Sequence, residues 1–191
     1  MGIFFTILNK LILKVIYQMK YLYFWQLIGF VFTVFLGVVL HFAFEWSNEA
    51  LILAPFSAVN ESVWEHMKIL FFPMLIYSFF QGFFFEKYPN YWSIKLKVIL
   101  VGIILIPGLY YLYNGAIGNS PDWLNILIFV ISAAIAYIYE NKLFRENKKS
   151  RINKKESIIL IVTIMILFIL FTFAPIELNI FKDPTTNTYG L

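Results

Sequence analysis

The residues that could do chemistry in this chain are concentrated between His41 and Lys68. This stretch contains both histidines of the protein and four of its eleven acidic residues, which are Glu45, Glu49, Glu61 and Glu65. Imidazole and carboxylate groups together suit a divalent cation such as Zn, Mn or Fe(II). A carboxylate left over from the ligand set could act as a base on metal-bound water, which is hydrolytic chemistry.

The candidate ligands come from two helical segments. His41 and Glu45 lie one turn apart at the end of the first segment. Glu61, Glu65 and His66 fall on one half of the second, since each helical residue advances by roughly 100°. Polar side chains in a membrane must turn towards protein or water, so two antiparallel neighbouring helices would point these groups at one another. We therefore predict a metal site formed by His41, Glu45, Glu61, Glu65 and His66.

The same stretch predicts catalytic and binding roles. Glu61, Glu65 and His66 are the predicted catalytic residues, because a base and its metal-bound water must be neighbours. The predicted binding residues around them are Asn60, Ser62 and Lys68, together with Asp183 and Tyr189 of the C-terminal tail.

Other interpretations of these residues stay open. Ser62 and His66 lie one turn apart and could form a nucleophile–base pair. A purely structural interpretation lets Asn60 cap the helix and Glu65 pair with Lys68 three residues later. The competing functions are thus a metal-dependent hydrolase, a small-solute or proton-coupled carrier, and a membrane scaffold, and enzyme activity is left undecided.

The composition is that of a multi-pass membrane protein. The chain has 191 residues, of which 61% are hydrophobic, 20% aromatic and 14% charged. Soluble domains are about 45–50% apolar and about 25% charged, so a soluble fold is excluded. The length suits one bundle. The absence of cysteine excludes disulfides and thiolate metal ligands.

Five segments are apolar and long enough to cross a bilayer core, for which about 20 residues are needed. We predict an all-α integral membrane protein with a membrane domain over residues 21–174. Its five transmembrane helices are expected at about 21–44, 61–85, 94–113, 123–140 and 157–174. Residues 1–20 should form an amphipathic helix in the membrane interface, since Lys10 and Lys14 share a polar face. Residues 140–156 should form a charged loop or a helical extension.

Small residues recur every four positions in the first segment. Gly29, Thr33 and Gly37 let a neighbouring helix approach closely, so this stripe is expected to face the bundle. His41 and Glu45 continue this stripe, so their side chains are expected to face the interior of the bundle. The apolar residues 50–56 should form a short interfacial or re-entrant segment that covers the site.

The basic residues predict the orientation. With five crossings and a cytoplasmic N-terminus, every Lys and Arg except Lys68 and Lys182 faces the cytoplasm. The net charge of +4 is therefore explained by topology, and no nucleic-acid partner is expected. The partner is the lipid bilayer, and the basic run 142–155 should attract anionic lipid. The histidines and the C-terminus would be extracytoplasmic.

The tail, residues 175–191, is too polar to span a membrane. Its Asp-Pro and Asn-Thr pairs favour turns. We expect an ordered turn docked on the outer surface. The alternative is a lid in which Asp183 or Tyr189 covers the site.

Two blocks of the sequence carry a resemblance. The first is HFAFEWS from His41, followed by VNESVWEHMK from Val59, and the second is FKDPTTNTYG from Phe181. They resemble the signature of a family of small bacterial multi-pass membrane proteins of unknown function, with Asn187 where that family has Gly. The resemblance covers most of the chain and implies a shared fold in the bacterial cytoplasmic membrane, but no activity. The paired-Glu and multiple-His motifs of CAAX-type proteases and alkaline ceramidase-like hydrolases are absent.

Overall fold

The computed structural model describes residues 2–85, 88, 90–118, 121–146 and 148–191. These residues form five α-helices, which are α1 Gly2–Trp46, α2 Val63–Phe85, α3 Tyr91–Ala116, α4 Asp122–Glu146 and α5 Lys154–Phe173. By length and composition, all five contain a stretch apolar enough to cross a membrane. The β-type pairing in the described residues is one isolated antiparallel bridge between Lys182 and Tyr189. The predicted all-α class with five long apolar helices is confirmed.

Four of the described helices are longer than the predicted segments, whereas α2 is two residues shorter because it begins at Val63. Helix α1 is continuous from Gly2 to Trp46, so no break separates the predicted interfacial helix from the first span. The interfacial position of residues 2–20 stays a prediction. Much of the 140–156 run is helical, because α4 continues to Glu146 and α5 begins at Lys154. Helix α5 begins there because Asn153 caps it in a reciprocal capping box.

Helix α2 lies at the centre of the bundle. It packs against α1 and α3 and touches α5, while α4 lies against both α1 and α3. In its most apolar window 72% of the α2 residues are buried, against 22% in α1 and in α5. Most side chains of α2, including the polar Glu65, Lys68 and Ser78, are therefore surrounded by protein.

The alternating helices give the bundle two ends. The histidine end contains the last turns of α1, α3 and α5 and the first turns of α2 and α4. The basic end contains the opposite termini. Lys148, Lys149 and Arg151 lie there in the connection between α4 and α5, and Lys154 and Lys155 lie in the first turn of α5.

The stripe of small residues on α1 faces the bundle, as predicted. A Cβ atom placed on Gly37 would lie 2.4 Å from Cζ of Phe129, so α1 and α4 approach closely there. One turn earlier, the fully buried Thr33 hydroxyl lies 2.8 Å from the hydroxyl of Tyr137. One turn later, the same face of α1 presents His41 to the start of α2.

Candidate functional site

The structure brings three of the five predicted metal ligands together at the histidine end. His41 Nε2 lies 3.7 Å from Glu61 Oε1, and His66 Nε2 lies 3.6 Å from Glu61 Oε2. One potential ligand atom from each residue lies within 4.8 Å of the other two. We refer to His41, Glu61 and His66 as the His–Glu–His cluster.

Each member of the cluster comes from a different local structure. His41 lies near the end of α1, and His66 lies in the first turns of α2. Glu61 lies in the connection before α2, because this helix begins at Val63 rather than at residue 61. From that position the Glu61 carboxylate lies near both imidazoles.

Backbone hydrogen bonding orients His66. Its Nδ1 lies 2.8 Å from the carbonyl oxygen of Ser62, so the ring donates there and leaves Nε2 as the acceptor. Such an outer hydrogen bond is typical of metal-binding histidines. The Ser62 hydroxyl instead accepts the N–H of Glu65 at 3.4 Å and caps α2. The pairing of His66 with the Ser62 hydroxyl is therefore not formed.

The cluster is partly open. The side chains of His41 and His66 are 21% and 14% exposed, whereas that of Glu61 is 48% exposed. A cavity of about 20 Å³ adjoins Glu61 and His66 and is lined also by Tyr110 and Asn125. A cavity needs roughly 10–15 Å³ to hold one water molecule, so there is room for a small fourth ligand beside the cluster.

Two of the distances within the cluster are close to the separation of ligand atoms around a tetrahedral cation. Two ligand atoms that each lie about 2.1 Å from a tetrahedral zinc ion are about 3.4 Å apart. The two histidine–glutamate separations of 3.7 Å and 3.6 Å exceed this value by a few tenths of an ångström. These distances end on different oxygens of Glu61, so binding one ion would require side-chain rotations that bring the three ligand atoms, which lie within 4.8 Å of one another, closer together.

Glu65 and Lys68 lie outside the cluster and form a separate buried network. Glu65 Oε2 lies 2.5 Å from Lys68 Nζ, and both side chains are almost fully buried. Glu65 also accepts hydrogen bonds from the Thr172 hydroxyl at 3.0 Å and from the N–H of Val59 at 3.1 Å. Lys68 donates to the carbonyl of Ala54 at 2.8 Å. The prediction that Glu65 faces the histidines is corrected, because α2 turns it towards α5.

Glu45 also lies outside the cluster. It is exposed on the last turn of α1, one turn beyond His41, and it is not in the group of atoms that converge. The helix ends at Trp46, so the stripe that was expected to carry Glu45 inwards reaches the surface there.

The C-terminal tail docks beside the cluster. Asn60 donates from Nδ2 to the carbonyl of Gly190 at 2.8 Å and accepts the N–H of Ser62 at 2.9 Å. The N–H of Trp64 donates to the carbonyl of Ile180 at 2.9 Å. Asn60 thus joins the tail to α2, and Ser62 rather than Asn60 caps the helix.

Asp183 stabilises the fold of the tail through hydrogen bonds to neighbouring residues. Its carboxylate accepts the hydroxyl of Thr185 and the N–H of Thr185 at 2.7 Å, and a longer bond from the N–H of Thr186. Although partial burial favours the neutral form, hydrogen bonds from these two threonines lower the pKa of Asp183 below its ordinary value. Tyr189 forms the isolated bridge with Lys182. The structure thus has an ordered turn, and a role for either residue as a lid stays a prediction.

One buried ion pair was not predicted. Lys95 of α3 and Glu140 of α4 are in contact near the basic end, and both side chains are buried. Lys95 Nζ lies 5.5 Å from the ring centroids of Tyr77 and Tyr91. The sequence contained a signal for this pair, because Lys95 is a basic residue early in the third apolar segment and Glu140 is an acidic residue late in the fourth. Tyr110 and Asn125 beside the cluster had no signal of this kind.

A family model described as "Family of unknown function (DUF6512)" matches residues 14–191. Because the match covers nearly the whole chain, the protein belongs to this family. Neither the comparison with curated proteins nor the comparison with solved structures gave a match. The family description names no activity.

Proposed function

Starting from a family without an assigned activity, we propose that this protein is a multi-pass membrane protein that binds one divalent transition-metal cation at the His–Glu–His cluster. The observation that supports this most strongly is the convergence of two imidazoles and one carboxylate within 4.8 Å. Two histidines and one glutamate are a set that zinc uses in sites with a fourth position for water. The same set also binds Fe(II) in facial triads, and Mn(II) accepts the same donors.

The cluster could activate water once a cation is bound. A cation held by His41, Glu61 and His66 would supply a water activated for nucleophilic attack near neutral pH. The small cavity beside Glu61 and His66 is the place for that water, with Tyr110 and Asn125 at its wall. Glu45, one turn beyond His41, is the remaining carboxylate that could accept a proton. Hydrolysis of an envelope or lipid substrate is the chemistry that follows.

We place the histidine end outside the bacterial cytoplasmic membrane. The distribution of Lys and Arg supports this orientation, and the basic run 142–155 would face anionic lipid on the cytoplasmic side. The chain has no cysteine, so single cysteines can report accessibility. A membrane-impermeant maleimide should label Glu49→Cys in intact cells and Arg151→Cys only in permeabilised cells. The reverse pattern would contradict the orientation.

A proton- or solute-carrying function is the second candidate, because buried polar groups also occupy the other half of the bundle. Thr33 is bonded to Tyr137, and Glu140, which pairs with Lys95, lies one turn further along α4. The ring of Phe129 packs on α1 between these groups and the histidines. A carrier should move protons or solute across liposomes in the absence of bound metal, which distinguishes it from the metal-binding proposal.

Elemental analysis of detergent-purified protein tests the metal site. The wild type should contain about one transition-metal ion per chain. His41→Gln, His66→Gln and Glu61→Gln should each weaken binding at least ten- to hundredfold, since even the loss of a residue behind a ligand costs that much. Glu49→Gln is the matched control, because it removes an exposed carboxylate of the neighbouring connection. Metal content that is unchanged in all four variants would overturn the proposal.

A further inference from the structure

A groove of about 620 Å³ lies between α1 and α4 at the basic end, at the opposite end of the bundle from the histidines. Small-molecule sites in proteins have volumes of roughly 300–1,000 Å³. Helix α1 contributes Gln26, Leu27 and Phe30 to its wall, and α4 contributes Asn141, Lys142 and Arg145.

Two buried amide side chains in this groove have atoms without a hydrogen-bond partner in the described part of the chain. Gln26 is 4% exposed, and neither its amide oxygen nor its amide nitrogen is bonded. Asn141 is 9% exposed, and its Oδ1 is likewise unpaired. Buried polar groups are nearly always hydrogen-bonded, and apolar surroundings make an unpaired one especially costly. A polar molecule in the groove would supply the missing bonds.

Charge is arranged at the mouth of the groove. Arg145 is exposed and has no ion pair among the residues that the structure describes. Lys142 lies 3.9 Å from Glu146, but Lys148 shares that carboxylate at 3.3 Å, which leaves a net positive charge. Towards the middle of the bundle the wall becomes apolar, with Leu27 and Phe30. The groove thus presents cationic, then amide, then apolar groups in order of depth.

We propose that this groove binds one anionic phospholipid whose headgroup carries hydroxyl groups. Its phosphate would lie against Arg145 and Lys142, and its upper acyl chains along Leu27 and Phe30. The unpaired oxygens of Gln26 and Asn141 need a hydrogen-bond donor, and the unpaired amide nitrogen of Gln26 needs an acceptor. A hydroxyl group of a glycerol headgroup supplies both, whereas a bare phosphate monoester is a poor donor. Phosphatidylglycerol has this combination of groups. The site is independent of the metal cluster.

Native mass spectrometry of the full chain titrated with lipid in detergent tests the site. The wild type should retain one phosphatidylglycerol per chain in preference to phosphatidylcholine and to phosphatidic acid. Lys142→Gln/Arg145→Gln should weaken phosphatidylglycerol binding about 25-fold, since each basic residue near a membrane surface contributes roughly fivefold. Gln26→Leu should abolish the preference for phosphatidylglycerol over phosphatidic acid and leave the preference over phosphatidylcholine.

The control variant is Arg151→Gln/Lys155→Gln, which removes the same charge from exposed positions outside the groove. Its phosphatidylglycerol affinity should stay within about twofold of the wild type, because a groove rather than diffuse charge binds the lipid. Equal weakening of both double variants, or no weakening of either, would overturn the proposal. The four residues replaced in the two double variants are exposed, so folding should persist, and unchanged circular dichroism would confirm it.

Discussion

Replacing Lys68 by Met isolates the buried Glu65 carboxylate and tests whether this pair is structural. Lys68 Nζ lies 2.5 Å from Glu65 Oε2 and also donates to Ala54 at 2.8 Å and to Thr172 at 2.7 Å. Removing one partner of a buried ion pair costs about 3–5 kcal/mol, because the remaining charge is uncompensated. We expect Lys68→Met to lower the free energy of unfolding by that amount.

The double variant Glu65→Gln/Lys68→Met should be more stable than Lys68→Met alone. Glutamine carries no charge, and its carbonyl oxygen can still accept the N–H of Val59 that Glu65 accepts at 3.1 Å. The main remaining loss is the buried carbonyl of Ala54, which costs about 1–3 kcal/mol when it has no donor. The double variant should therefore recover about 2 kcal/mol relative to the single variant.

Unfolding by SDS in detergent micelles, followed by tryptophan fluorescence, measures both variants. The Trp64 ring packs on Phe168 at a centroid distance of 4.6 Å, so its contribution to the emission of the five tryptophans reports separation of α2 from α5. Bound metal per folded chain should not change, because the pair lies outside the His–Glu–His cluster. A double variant less stable than Lys68→Met, or a single-variant loss below about 1 kcal/mol, would refute this reasoning.

Three further predictions concern packing and the tail. Gly37→Leu should lower stability by about 1–3 kcal/mol in thermal unfolding, because its Cβ would meet Phe129; an unchanged midpoint would argue against the close approach. Gly190→Ala should expose the tail to protease with the helices intact, since Gly190 has a φ of 67° and its Cβ would lie 2.8 Å from Pro175 Cγ; full protection would contradict this. The lowered pKa of Asp183 means that its hydrogen bonds stabilise the tail above the unfolded pKa of about 3.9 and are lost as pH falls through the folded value. Tail proteolysis with an acid-stable protease should therefore accelerate only below about pH 4, and acceleration already at about pH 6 would contradict this origin.

The proximity of His41 and His66 could be predicted because it depends on local patterns. An apolar segment that ends near Trp46, a short connection and a second apolar segment place the two histidines at the same end of adjacent helices. The four-residue stripe then turns His41 inwards, as the burial of Thr33 shows. Helical periodicity alone carries this much information.

The direction of Glu65 could not be predicted in the same way. On a helical wheel it shares a half with His66, but the structure turns it towards Thr172 of α5. That partner lies more than a hundred residues later in the chain, and no local pattern identifies it. The start of α2 at Val63 could not be predicted either. Glu61 therefore lies in the connection before the helix, where its carboxylate is near both histidines.

The unusual residue in the tail is explained by its backbone. Asn187 stands where the resemblance leads one to expect Gly, and it has a φ of 61°. Asparagine adopts this left-handed conformation more readily than other non-glycine residues, so the turn can form with either.

X-ray absorption spectroscopy of the zinc-loaded protein tests most directly whether the three side chains bind one ion. The proposal predicts a four-coordinate shell at about 2.0–2.2 Å with the scattering pattern of two imidazoles, and one imidazole fewer in His66→Gln. A shell of oxygen atoms alone, or one that His66→Gln leaves unaltered, would contradict it.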